Sequence, residues 1–278
     1  AASRKPMMAA ALRHFFLALQ FFTRIPLGDK LAAWVGYSPA LLRASAAYFP
    51  AVGLLVGAFA AAVFYCCSLA LGPQSSAYLL AAISSTIASV WLTGAFHEDG
   101  LADSADALGG AVSAERALTI MKDSRIGSYG AVALILTLAC KIALLAHIAQ
   151  AQLLLACAAL LFAHTLSRLL PLLILASLPH VGDSAQSKSK PLADSVSKTS
   201  MAIALLSTGS VAALIALWQP FYFWAYAVLA SLAAFLWMRR LLKIRISGFT
   251  GDGLGATQQL GELAIYWTIA LCLPELQG

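Results

Sequence analysis

Long apolar runs alternate with short polar breaks along most of this chain. Ala46 to Leu71 holds no charged residue and stops at Gly72-Pro73, after which Ser76 to Phe96 is again uncharged. Each run matches the roughly 20 helical residues that cross a hydrocarbon layer about 30 Å thick, so the two predict a helical hairpin. Ala131 to Ala149, interrupted by Lys141 and His147, and Leu153 to Leu178, interrupted by His164, Arg168 and Pro171, predict a second pair. Met201 to Trp218 and Phe221 to Met238 flank Gln219-Pro220 as a third, and Leu260 to Leu273 is a shorter last span with Glu262 near its start. The first 30 residues are different, because Arg13, His14, Gln20 and Arg24 break the run; they fit an interfacial amphipathic helix or a first span. Nothing alternates with the period of a barrel strand. The expected fold is all-α: one polytopic bundle over residues 1–278, with about seven spans and bounds of six and eight.

Composition agrees with that class, at 61% hydrophobic and 11% charged residues and a mean hydropathy of +0.83. Charge then orients the bundle. If the hairpins are right, Arg24 to Arg43, Glu98 to Gly130, His180 to Ser200 and Arg239 to Asp252 share one side, and the opposite turns contain no Lys or Arg. That bias places the long segments in the cytoplasm and Pro274 to Gly278 outside, as in a bacterial inner-membrane protein. The net charge of +6 follows from the bias and from anionic-lipid contact, with no need for nucleic acid. Residues 180–200, rich in Ser and Lys, are expected to be a flexible cytoplasmic loop. Cys66, Cys67, Cys140, Cys157 and Cys272 fall in apolar spans without metal-ligand spacing, and so read as small core hydrophobes. No cleavable signal peptide is expected, because Arg13 and His14 interrupt the first apolar stretch.

Three clusters carry candidate chemistry. His97 to Asp106 gathers Glu98, Asp99, Asp103 and Asp106, four of the 12 acidic residues, directly after an uncharged run. Two carboxylates roughly 6 Å apart repel by about 2.8 kcal/mol at an effective dielectric near 20, so the cluster invites a counter-ion. On a helix Asp99, Asp103 and Asp106 project within about 60° of one another. Aligned carboxylates suit Mg²⁺, which takes one or two of them and completes its octahedron with water and phosphate. A solvated acidic face is the plainer alternative. Gly100 would let the backbone approach a ligand or bend.

The second cluster, Lys122 to Gly130, contains Lys122, Asp123 and Arg125 before two glycines. It predicts a tight loop after a short helix over 113–122, presenting cations and backbone N–H groups to phosphate. Anchoring of a span end is the plainer alternative. The third, Thr250 to Gln259, places Thr250, Gly251, Asp252 and Gln258 at a helix start, where three glycines would cradle a phosphate or another helix. It lacks the Walker ending. Arg168, in mid-span, is costly unless it faces the interior or a polar cavity.

Together these strings resemble the cobalamin synthase family, the adenosylcobinamide-GDP ribazoletransferases. The matching pieces are Phe22-Thr23-Arg24-Ile25-Pro26, Tyr48 to Gly53, His97 to Asp106, Met121 to Gly130, Ser167-Arg168 and Thr250 to Leu260. One departure is Ala107-Leu108, where the family has Asp-Gly. The resemblance implies a Mg²⁺-dependent transfer: the ribose 3′-hydroxyl of α-ribazole or its 5′-phosphate attacks adenosylcobinamide-GDP, forming a phosphodiester and releasing GMP. On that implication Asp99, Asp103 and Asp106 hold the metal, and Glu98, Asp103 and Asp123 are the carboxylates available as ligand or base. Lys122 and Arg125 steady charge in catalysis, and Arg168, Thr250, Gly251, Asp252 and Gln258 bind substrate. Self-association stays open. Two other classes compete. A CDP-alcohol phosphotransferase needs Asp-x-x-Asp-Gly-x-x-Ala-Arg, and no Arg stands in that position here; an ion-coupled transporter tends to carry acids near the midplane, whereas these crowd one boundary.

Overall fold

The computed structural model describes residues 4–181, 196–219 and 221–273, with backbone only for residues 4–7. Most of the expected loop at 180–200, and all of 274–278, lie outside the described residues. The helices are α1 (Arg4–Phe22), α2 (Asp29–Val35), α3 (Pro39–Ser45), α4 (Phe49–Leu71), α5 (Ser75–Thr93), α6 (Phe96–Gly109) and α7 (Ala114–Ile120). They continue as α8 (Ser128–Ala151), α9 (Leu153–Ser167), α10 (Leu170–Leu175), α11 (Lys198–Ala216), α12 (Phe221–Ile246) and α13 (Gly251–Cys272). Among the described residues the only extended pairing is an isolated bridge between His180 and Phe249.

Six helical segments are long and apolar enough to cross a membrane: Pro39–Leu71, α5, α8, Leu153–Leu175, α11 and α12. The protein is thus an all-α, multi-pass membrane bundle. The three expected hairpins are present with their boundaries within a few residues, except that α12 continues past Met238 to Ile246. Helix α13 is the seventh long element, but it starts at Gly251 and not at Leu260. The Thr250 to Gln259 cluster therefore forms the first turns of the last helix, and its apolar part follows. The apolar portion of α1, Met8–Phe22, falls short of the roughly 20 residues a crossing needs.

Small residues set the packing where lipid offers no hydrophobic drive between helices. Helices α4 and α9 run antiparallel: Gly53 lies on the backbone of His164, Gly57 on that of Leu160, and Cys157 Sγ stands 3.9 Å from the Ala61 carbonyl. A Cβ on Gly53 would collide with the His164 carbonyl oxygen. Ser85 Oγ donates to the Ala60 carbonyl at 2.9 Å and ties α5 to α4. This antiparallel order brings the Gly72 turn to the end where α9 begins. At that same end Gln219 Nε2 donates to Gln152 Oε1 at 3.2 Å, joining the other two hairpin turns. All three turns without Lys or Arg are gathered there, and the acidic and basic segments share the opposite end.

Arg168 is not in mid-helix. It caps α9, and the chain turns through Leu169 into α10, whose first turn accommodates Pro171 because no intrahelical N–H is required there. Helix α13 packs against α12, α6, α9 and α8 and forms the centre of the acid-bearing end.

Candidate active site

The acidic residues sit on α6, which leaves α5 through a sharp turn. Gly94 and Ala95 are both left-handed, at φ 68° and φ 58°, and the second is an uncommon conformation for a residue with a Cβ. The Thr23-Arg24-Ile25-Pro26 string pins this turn. Arg24 N donates to the Leu92 carbonyl at 2.8 Å, and its guanidinium lies over Gly94, where a side chain would collide with it.

Gly100 is where α6 meets α13. A Cβ at Gly100 would stand 2.8 Å from the Asp252 carbonyl oxygen and 3.2 Å from Gly255 Cα, while Gly255 faces His97 and Gly100 in return. Of the two roles foreseen for the glycines of the third cluster, approach to another helix is the one observed at Gly255, and Gly100, foreseen to meet a ligand or to bend, meets that helix. The crossing brings Asp99 and Asp103 from α6 together with Asp252 from α13. Burial pushes the Asp103 carboxyl up to about 7, with Asp252, Asp99 and Asp106 adding repulsion. Asp252 is pushed up to about 6, again by burial first, with Asp99 adding to it. Among the described residues, no Lys or Arg forms an ion pair with Asp99, Asp103 or Asp252. Gly100→Val is therefore expected to pry α6 from α13 and lower activity at least tenfold with the protein still inserted, since misplacing a reacting group by about 1 Å costs ~10²-fold. Turnover per folded molecule in detergent would show it.

Asp106 is spent differently. Its two carboxylate oxygens accept the backbone N–H groups of Gly127 (2.7 Å) and Gly130 (2.8 Å), so it caps the start of α8 from a distant helix. Each oxygen keeps a lone pair for a cation. The same glycines are the reason the second cluster needs them: a Cβ at either would strike the Asp106 carboxylate. Within that loop Asp123 grips the exposed Arg125 with both oxygens at 2.6 to 3.2 Å, and these bonds hold its carboxyl down to about 2. Asp123 and Arg125 thus occupy each other at the surface beside α8. Arg245 reaches across from α12 to the Gly110 carbonyl.

Beneath the acidic wall lies a buried polar network that the sequence pattern indicated only in fragments. Glu262 accepts from Lys141 Nζ (2.6 Å), Gln258 Nε2 (2.7 Å) and Tyr266 Oη (3.1 Å), with His164 Nδ1 3.4 Å away. Gln258 also donates to Ser167 Oγ at 2.8 Å. Gln259 donates to Glu98 Oε1 at 3.1 Å, so α13 is tied to α8, α9 and α6. Gln258 is fully buried and structural here, and Thr250 caps α13 by accepting from Gly253 N at 3.2 Å. Glu98 is buried, which pushes its carboxyl up against the pull of Lys141, and its Oε2 has no partner. The spacing Gln258, Glu262, Tyr266, every fourth residue on one helical face, was the available signal.

The donor set at the α6–α13 crossing is all oxygen and has no Lys or Arg ion-pair partner among the described residues, which suits a hard divalent cation. Among the described residues no group of three or more His, Cys, Asp or Glu is placed to hold a metal ion by side chains alone. Mg²⁺ does not need one, since it retains waters and takes phosphate oxygens as ligands. Asp99, Asp103 and Asp252 fit it best, with Asp106 as a neighbour already committed to α8.

Residues 14–270 match the family model described as cobalamin-5-phosphate synthase. The chain belongs to this family. Its relatives include proteins named adenosylcobinamide-GDP ribazoletransferase from Polaromonas naphthalenivorans, 49% identical over 96% of this chain and 100% of the relative, and from Albidiferax ferrireducens, 51% identical over the same shares. A protein of that name from Vibrio parahaemolyticus is 40% identical over 96% of this chain and 95% of its own length. No solved structure matches. As a member of the cobalamin-5-phosphate synthase family the chain is a multi-pass membrane transferase of cobalamin synthesis.

Proposed function

We propose that this protein transfers the adenosylcobinamide-phosphate part of adenosylcobinamide-GDP to α-ribazole or its 5′-phosphate, with Mg²⁺ at the acidic crossing. The ribose 3′-hydroxyl oxygen bonds to the cobinamide-linked phosphorus, the bond from that phosphorus to the GMP oxygen breaks, and the hydroxyl proton passes to a carboxylate. What carries this reading is the convergence of Asp99, Asp103 and Asp252 from two helices, with no Lys or Arg ion-paired to them among the described residues. Bound there, Mg²⁺ would neutralise the diphosphate and the charge that develops on it.

The chain's own residues supply the rest. Asp99, Asp103 and Asp252 would hold the metal, and Asp106 keeps the second loop against them through Gly127 and Gly130. Glu98, raised by burial and with one free oxygen, is suited to take the hydroxyl proton. Lys122 and Arg125 approach phosphate from the loop, for which Arg125 must release Asp123. Gly251 opens the first turn of α13 towards substrate, with Thr250 fixing that turn. Gln258 serves from below, by holding α13 in register.

The same reading sets this end of the bundle on the cytoplasmic face of the bacterial inner membrane. Its support is the gathering of the Lys- and Arg-free turns at the far end. Purified in detergent, the protein should release GMP from adenosylcobinamide-GDP and α-ribazole only with a divalent ion. Chelation should abolish release and added Mg²⁺ restore it; undiminished turnover in chelator would remove the metal from the account.

A further inference from the structure

Next to the acidic crossing lies a small cavity that none of the assigned roles uses. Phe21 and Phe22 from the end of α1, Phe49 from α4, and Phe96 and His97 from α6 form its walls, with Pro171, Leu254 and the backbone of Gly251 and Gly255. The rings are ordered against one another. Phe22 meets Phe49 edge-on at 4.5 Å and stacks on His97 at 5.4 Å, so His97 turns its ring face to Phe22.

One charged group reaches this space. Arg168 is 2% exposed and lines the cavity; its Nη1 is used by the His164 carbonyl at 2.9 Å, and its Nε has no partner. A buried donor left unpaired is costly, so it points to a missing acceptor. The residues opposite it are almost entirely aromatic and apolar. A ligand matching both facts is flat, has one acceptor atom, and is otherwise free of polar edges.

We infer that this cavity receives the base of the acceptor nucleoside, a dimethylbenzimidazole ring whose single acceptor nitrogen takes the Arg168 Nε–H. The inference rests on the transfer proposed above and assigns one half of it to a place. Guanine, the other base in that reaction, would bury several donors and acceptors against Phe21, Phe22 and Phe49 with nothing to meet them. A base seated here lies beside Gly251 and Gly255, and its ribose is then within reach of the carboxylates on either side of that crossing. As it stands the cavity is about 30 Å³, room for a water or two, so the ring enters as Phe96, 36% exposed, swings outward.

The test uses the full protein in detergent, with the dimethylbenzimidazole riboside and its indole analogue, which lacks the acceptor nitrogen. Equilibrium dialysis without the corrinoid donor reads affinity, and GMP release reads turnover. The wild type should bind the benzimidazole riboside about tenfold or more tightly over the indole one, and Arg168→Met should erase that preference. Leu254→Trp, which fills the cavity without touching a charge, should weaken acceptor binding about tenfold while the donor KM stays within about twofold. Preference surviving in Arg168→Met, or acceptor affinity unchanged in Leu254→Trp, overturns the cavity assignment even if GMP is released. Selective acceptor binding with no GMP release from any acceptor would instead overturn the transfer and keep the cavity.

Discussion

Asp103→Asn is expected to lower GMP release by about 10³-fold while the protein stays inserted and helical. On the proposed role Asp103 would help to hold Mg²⁺, and losing that charge is of the same order as removing one transition-state stabilising contact, ~10² to 10³-fold. The fold should tolerate it, because Asp103 is only half-buried and its neighbours repel it. Asn relieves that repulsion, so thermal stability without divalent ion should rise slightly. The proton dependence has a definite sign. In the metal-free protein the Asp103 carboxyl stands at about 7 against an ordinary 3.8, so the folded state binds more protons than the unfolded one between those values. This group's contribution to stability therefore falls as pH rises from about 4 to 7, and divalent ion should oppose the fall. Below pH 7 protons compete with the metal, and the Mg²⁺ concentration for half activity should climb by up to about tenfold per pH unit. Full turnover in Asp103→Asn, or a Mg²⁺ requirement independent of pH between 5 and 7, would place the metal elsewhere.

The second large effect is on the fold. Lys141 and Glu262 are each almost fully buried and meet at 2.6 Å inside the bundle. Breaking a buried pair from one side leaves a charge without its partner and costs about 3 to 5 kcal/mol, whereas replacing both members is often close to neutral. Lys141→Met alone should thus lower the melting temperature in detergent sharply. Combining it with Glu262→Gln, which still offers an acceptor to Tyr266 and Gln258, should recover most of the loss. If the double variant is no more stable than Lys141→Met, the pair is not what holds α13 to α8.

The spans were legible because each apolar run ends at its own stop: Gly72-Pro73, Gln152 and Gln219 all lie at hairpin turns. Thr250 to Gln259 was legible as a helix start, but not as one continuous helix with the apolar run from Leu260, because it is polar and its packing is spent on other helices: Gly255 on α6, Gln258 on α9 and Gln259 on Glu98. Asp99, Asp103 and Asp106 do share a helix face, as their spacing required, yet only the tertiary structure shows that Asp106 caps α8. Nor does spacing reveal that Asp252 stands opposite Asp103, since that depends on two glycines 155 positions apart in the chain meeting backbone to backbone. Lys141 and Glu262 were each visible as a lone charge in an apolar run. Their pairing was not, because nothing in either helix encodes the other's register. Arg168 was recognised from its cost alone, and the cavity it serves, built from rings on three separate helices, leaves no trace in any one segment.

The seam along Gly53 and Gly57 limits how this molecule can move. Helices that touch main chain to main chain have no side chains to rearrange between them, so α4 and α9 travel as one rigid rod. Any opening at this end of the bundle has to form away from that seam, where neighbours meet through side chains, as Phe21 and Phe96 do at 5.5 Å.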